Sequence, residues 1–217
     1  MVTVDHEHEK QAAAEAAANL VTDGMLVGLG TGSTVAYLLA ALGRRNLAIS
    51  CVATSPATEA LATRHGLRIQ PFEEIDHLDL AVDGADQVDP RCWLIKGGGG
   101  AHTRERIVAA AAYRFVVIVS SNKLVERLQA PVPLELLAFG LDSTLAALSG
   151  AVLRSAPRTP DGGVLADLHG DVSDPDQLSA RLNATPGVVG HGLFPPTMVS
   201  MVLIGRGGEV ESRQPVA

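Results

Sequence analysis

Residues 25–42 read MLVGLGTGSTVAYLLAAL, and this succession of apolar run, glycine-rich turn and second apolar run decides the fold class. Met25–Leu29 predict a short buried strand, Gly30-Thr31-Gly32-Ser33-Thr34 a turn, and Val35–Leu42 a helix. A strand that passes through such a turn into a helix is the repeating step of an α/β protein. The turn is also a candidate phosphate site, because the unpaired amides and the dipole at a helix N-terminus both favour an anion. The hydroxyls of Thr31, Ser33 and Thr34 can donate as well. No lysine follows Gly32 as a Walker loop requires, and Ser33 stands where a dinucleotide fingerprint needs its third glycine. A small phosphate ester suits the turn better than a nucleotide. The plain structural alternative is an ordinary strand-to-helix turn with a Ser or Thr cap.

The alternation continues on both sides of this unit. A helix is predicted from about Asp5 to Val21, with Gly24 near its C-cap. Further strands are predicted at Ala48–Ala53, Leu67–Gln70, Leu78–Val82, Trp93–Ile95 and Phe115–Val119, with helices at Ala57–His65 and Arg104–Arg114. This pattern predicts a doubly wound, Rossmann-like sheet. After Lys123 the order changes to strand (VPLELLAF), helix (DSTLAALSG), two strands (AVLRS, GVLADLH), helix (DPDQLSARLNA) and strand (GVVGHGLF). That βαββαβ order predicts a smaller ferredoxin-like α+β domain. Pro-rich linkers at Ala130-Pro131 and Pro195-Pro196 bound it, and the apolar run Met198–Ile204 can rejoin the main sheet. The expected division is 1–129 with 202–217, and 130–201.

Two more segments carry chemistry. In HLDLAVDGADQVDP (77–90), Asp83 falls at the carboxyl end of a strand with Asp86 three residues on. Ligands of open α/β sheets bind at such ends, and two carboxylates there can hold sugar hydroxyls or move protons. A solvated Asp-Gly turn is the bland alternative. In LIKGGGGAHTRERI (94–107), Lys96 precedes four glycines, and Glu105 lies in the first turn of the next helix. Glycine amides are open to a ligand and can converge on an oxyanion. With a cation and a carboxylate beside them they suit chemistry through a transient oxyanion. A flexible loop and a helix-dipole carboxylate are the alternatives.

The chain has 217 residues and a formal charge of −7, which argues against nucleic acid and acidic membrane surfaces as main partners. A phosphorylated substrate then needs a local cationic pocket, for which Lys96 and Lys123 are the candidates. Cys51 and Cys92 sit in apolar surroundings and read as buried free thiols. His6 and His8 read as part of a solvated helix start, and no metal-ligand spacing occurs. Without a leader pattern or a membrane-length apolar run, the expected location is the cytoplasm.

Together, GLGTGST, DGAD and KGGGGAHTRE, with Lys123 in SSNK and the later PGVVGHGLF, closely resemble ribose-5-phosphate isomerase type A over nearly the whole chain. The resemblance implies interconversion of ribose 5-phosphate and ribulose 5-phosphate through an enediolate, with no metal or organic cofactor, in a homodimer or homotetramer. It implies that Glu105 is the base and that Asp83, Asp86 and Lys96 assist. It also assigns substrate binding to Thr31, Gly32, Ser33 and Thr34, to Asp83, Gly84, Ala85 and Asp86, to Lys96, Gly97, Gly98 and Gly99, and to Lys123. Three positions depart from the family pattern: Gln87 after DGAD, His102 in place of an apolar residue, and the TPDGG turn at 159–163, expected to bear more on assembly than on chemistry. A non-catalytic sugar-phosphate sensor would carry a DNA-binding segment that this chain lacks. A phosphosugar deaminase, lactonase or acyl-CoA transferase would need other nucleophiles.

Overall fold

Asp5 caps the first helix, its carboxylate accepting from the amides of Glu7 and His8 at 3.1 and 3.2 Å. The computed structural model describes residues 5–215. In chain order the elements are α1 (His6–Ala18), β1 (Leu26–Leu29), α2 (Ser33–Arg45), β2 (Ser50–Ala53), α3 (Pro56–Arg64), β3 (Arg68–Ile69), β4 (Leu80–Asp83), β5 (Gln87–Val88), β6 (Leu94–Ile95), α4 (His102–Ala110) and β7 (Phe115–Ser120). Then follow β8 (Val132–Leu136), α5 (Leu141–Ala147), β9 (Ala151–Leu153), β10 (Val164–Leu168), α6 (Pro175–Ala184), β11 (Val188–His191), β12 (Leu193–Phe194), β13 (Met201–Arg206) and β14 (Glu209–Arg213). Helix α1 ends at Asn19, and Gly24 lies beyond it at φ +86° in the turn into β1, so the expected C-cap role of Gly24 is not observed.

The main sheet has seven strands in the order β14-β13-β7-β4-β1-β2-β3, parallel except for the β13–β14 hairpin. Alternate residues of β7 serve opposite faces: Val116 and Ile118 pack under α1 and α2, whereas Phe115, Val117 and Val119 pack with Val108 of α4. Both faces are therefore covered, which is why β7 reads as a continuous apolar run. Ala13, Ala14, Ala17 and Ala18 are buried on α1, and their small side chains let it lie close to the sheet.

The second sheet has the order β11-β8-β10-β9, all antiparallel, which is the ferredoxin-like arrangement of a βαββαβ unit. Two expectations are corrected here. Strand β6 does not join the doubly wound sheet, because the Gly84–Trp93 connection holds no crossover helix and a parallel return needs one. It forms a three-stranded antiparallel sheet with β5 and β12 instead. Nor is GVVGHGLF one strand. It breaks at Gly192, where an added Cβ would lie 2.1 Å from the Lys96 carbonyl oxygen. β11 stays with the second sheet and β12 crosses to β6, delivering Phe194 beneath the site.

Candidate active site

β1 is followed through α2 by β2 on one side, while β4, reached later, pairs with it on the other. The connections thus leave in opposite directions, and a crevice opens at the carboxyl ends of β1 and β4. The turn 30–34 leaves β1 there, residues 83–86 leave β4, and the single turn Ser121–Lys123 leaves the neighbouring β7.

Asp83 does not line the crevice but lies buried directly under Gly30, where an added Cβ would fall 1.9 Å from its carboxylate. Asp83 Oδ1 accepts from the amides of Thr31 at 3.1 Å and Gly84 at 2.7 Å. The other oxygen, Oδ2, lies 2.8 Å from Lys96 Nζ, and Glu105 Oε2 lies 3.2 Å from the same ammonium. Lys96 also donates to the Gly84 carbonyl, and the Phe194 ring centroid is 5.5 Å from its Nζ. All three charged side chains are 3–5 % exposed. Two carboxyl groups thus share one cation out of water, and with both ionised one negative charge would be in excess. Burial, with the nearby Asp83 charge, pushes the Glu105 carboxyl up to about 8 against the opposing pull of Lys96. Burial also raises Asp83, though Lys96 and the two amides resist it. Lys96 is held above its ordinary value because the two carboxylates outweigh its own burial. The group placed to exchange a proton near neutral pH is therefore Glu105.

The crevice encloses ≈ 170 Å³, lined by Thr31–Val35, Gly84–Asp86, Lys96–Gly99, Glu105 and Lys123. That volume lies below the usual range of about 300–1,000 Å³ for drug-sized ligands and suits a small metabolite. Lys10 lines it too, a residue the motifs do not mark. The chain contains three lysines against fourteen arginines, and all three meet in this crevice. Counting the lysines was the available signal; α1 alone does not reveal which way Lys10 faces.

The sequence-predicted residues do not all stand alike. Asp83 is buried and Asp86 exposed, its Oδ2 accepting from the Gly98 amide at 2.8 Å. The Gly98 amide is thereby engaged, and that of Gly100 donates to Gly97 O at 3.0 Å. The amides of Gly97 and Gly99 have no partner among the described residues. The Thr31 hydroxyl is turned to a hydroxyl cluster, with Thr54 at 2.8 Å, Ser55 at 2.9 Å and Thr58 at 3.1 Å, and Thr58 donates to Gly30 O at 2.9 Å. It braces the turn, which leaves Ser33 and Thr34 as the hydroxyls open to a ligand.

Support for the glycine loop comes from far along the chain. Arg154 Nη1 donates to the carbonyls of Gly97 and Gly98 at 3.0 and 3.2 Å, and Asp167 holds the same guanidinium at 2.9 and 2.6 Å. His102 is fully buried behind the loop. A Cβ on Gly97, whose φ is +98°, would lie 2.5 Å from His102 Cβ. Burial, with Arg154 and Arg106 nearby, lowers the imidazole to about 4, so it packs as a neutral ring. The TPDGG turn reaches the helix that carries Glu105, Asp161 accepting from Arg104 at 2.6 and 2.7 Å. Gln87 is paired with the backbone of Gln129 at 2.8 Å through both ends of its amide.

Residues 50–209 match the family described as ribose 5-phosphate isomerase A (phosphoriboisomerase A). The chain belongs to that family. It is 45 % identical to a ribose-5-phosphate isomerase A of Methanosarcina acetivorans over 201 residues, 86 % of each chain. It is 43 % identical to one of Roseiflexus sp. over 232 residues, 99 % of each. Among solved structures, ribose 5 phosphate isomerase A of Neisseria gonorrhoeae superposes with a TM-score of 0.92 at 31 % identity, covering 98 % of this chain and 99 % of its own. A D-ribose-5-phosphate isomerase in complex with phospho-erythronic acid superposes at 0.91 with 35 % identity, covering 97 % and 99 %.

Proposed function

We propose that the chain interconverts ribose 5-phosphate and ribulose 5-phosphate with Glu105 as the single proton carrier. The observation that carries this reading is the buried pairing of Glu105 with Lys96 beside unpartnered glycine amides. Starting from the aldose, the Glu105 carboxylate removes the C2 proton of the open-chain sugar. The electron pair moves through C1 onto O1, giving an enediolate. Lys96 and the Gly97 and Gly99 amides offset that charge as it develops, in a site where little water competes. Glu105 then returns the proton to C1, the proton on O2 passes to O1, and the carbonyl is left at C2. One carboxylate serves both steps because the two carbons are adjacent. Asp83 or Asp86 assists opening of the furanose ring. Phospho-erythronic acid, the ligand of one solved relative, carries a planar carboxylate that matches an enediolate in charge, and this supports the reading.

Lys10, Lys123, Ser33, Thr34 and the amides that open α2 take the phosphate. The chemistry needs no metal, since Lys96 supplies the positive charge. We further propose a cytoplasmic homodimer or homotetramer that acts on a free sugar phosphate rather than on nucleic acid or a membrane. Exposed apolar side chains such as Phe139 and Tyr113, 87 % and 72 % exposed, support self-association. No helix among the described residues is long and apolar enough to cross a membrane. Conversion of ribose 5-phosphate to the ketose, followed in a coupled assay, tests the activity, and its absence in folded protein would overturn it. Light scattering at micromolar concentration should show at least twice the chain mass.

A further inference from the structure

The helix start HEHEK reads as solvated, yet Glu9 within it is 2 % exposed. Its carboxylate accepts from the Ser121 amide at 3.0 Å, from the Ser121 hydroxyl at 2.7 and 3.0 Å, and from the Gly207 amide at 3.2 Å, and His6 Nδ1 lies 3.0 Å away. Burial acts against the charge, but these hydrogen bonds more than offset it and hold the carboxyl down at about 2. The rest of the inner face of α1 is alanine. An apolar side chain at position 9 would avoid the cost of burying a charge, so the carboxylate needs a reason.

Its partners supply one. Ser121 opens the single turn that ends at Lys123, and Lys10 is the next residue along α1. Both lysines line the crevice. Helix α1 packs closely on the sheet beside this residue: a Cβ on Gly205 of β13 would fall 1.9 Å from the Glu9 carbonyl oxygen. We propose that Glu9 is a positioning residue for the phosphate end of the crevice: it ties the turn bearing Lys123 to the helix bearing Lys10 and so fixes the spacing of the two ammonium groups. The inference rests on the phosphate reading of those lysines. Glu9 touches no substrate. It acts by holding two flexible cations on one rigid frame, which lowers the ordering cost of binding a dianion.

The test compares Glu9→Leu, Glu9→Gln and Lys123→Ala with the parent, measuring KM for ribose 5-phosphate, kcat, inhibition by inorganic phosphate, and melting temperature. Glu9→Leu should raise KM and the phosphate inhibition constant together by about 10-fold while kcat changes by less than about 2-fold, the signature of lost uniform binding. Glu9→Gln, which still accepts from Ser121, should fall between it and the parent. A lowered melting temperature with both constants unchanged would make Glu9 merely structural and overturn the proposal. If Lys123→Ala leaves phosphate inhibition unchanged, the phosphate reading itself fails. If Lys123→Ala weakens inhibition and the Glu9 variants do not, only the role of Glu9 fails. Should Glu9→Leu not fold, Ser121→Ala removes one donor from the same link and must raise both constants for the proposal to stand.

Discussion

The two ends of the crevice treat charge in opposite ways. Around Lys96, two carboxyl groups lie 2.8 and 3.2 Å from one ammonium, and all three side chains are nearly sealed from water. Around Lys123, Ser33 is exposed, and Lys10, Thr34 and Lys123 keep partial contact with solvent. Burial makes the first end a place where a carboxyl titrates near neutrality. Exposure leaves the second end free to exchange water for phosphate oxygens at little cost. Catalysis needs interactions that strengthen in the transition state, whereas a phosphate grip is felt equally before and during reaction. On the proposed reading, one crevice separates chemistry from binding by depth.

The strongest challenge to that contrast is Glu105→Gln, which keeps size and hydrogen bonding but cannot take a proton. It should fold and bind substrate while kcat falls by about 10²–10⁴-fold; near-normal turnover in the coupled assay would move the base to Asp83 or Asp86. Next in size, Lys123→Ala should raise KM about 10–100-fold, as loss of a charged hydrogen bond of about 1.5–3 kcal/mol implies, with kcat little changed. A collapsed kcat at constant KM would erase the distinction between the ends. Acidity sharpens it further. Because the Glu105 carboxyl is raised to about 8, kcat/KM should climb with pH through that value and level off above it. The same shift acts on stability with a definite sign. A carboxyl raised in the folded state favours folding below its unfolded value near 4.5, and that contribution is lost as pH rises through about 8. Calorimetry should therefore find Glu105→Gln gaining on the parent between pH 5 and pH 9, and a constant difference would contradict the burial argument. The smallest expected effect is that of chelation: exhaustive EDTA treatment should leave activity unchanged, and loss rescued by zinc, magnesium or manganese would show that Lys96 is not the sole positive charge at the deep end.

Local patterns carried most of the fold. The strand, turn and helix of 25–42 and the βαββαβ order after Lys123 depend on neighbours in sequence, and the structure shows both. The motifs around Asp83, Lys96 and Glu105 were visible for the same reason, and they converge because the connections leaving β1 and β4 part at the carboxyl ends of these paired strands. What stayed hidden depends on distance along the chain. Lys10 and Glu9 face inward only because α1 packs on β7 and β13, and periodicity in an alanine-rich helix cannot orient it. Arg154 lies more than fifty residues from the loop that it holds. The misplaced strand β6 shows the complementary limit: an apolar run announces burial but not its sheet.

The Arg154 bonds have a consequence for the order of assembly. The glycine loop belongs to the chain before β7, whereas the guanidinium that holds it comes from the ferredoxin-like sheet, which is completed only when β11 has paired with β8. A molecule whose seven strands had formed, but whose second sheet was still undocked, would contain Asp83, Lys96 and Glu105 and yet leave the loop carbonyls untethered. During refolding, helical signal should then return before turnover does, and the lag between them would time the docking of the two sheets.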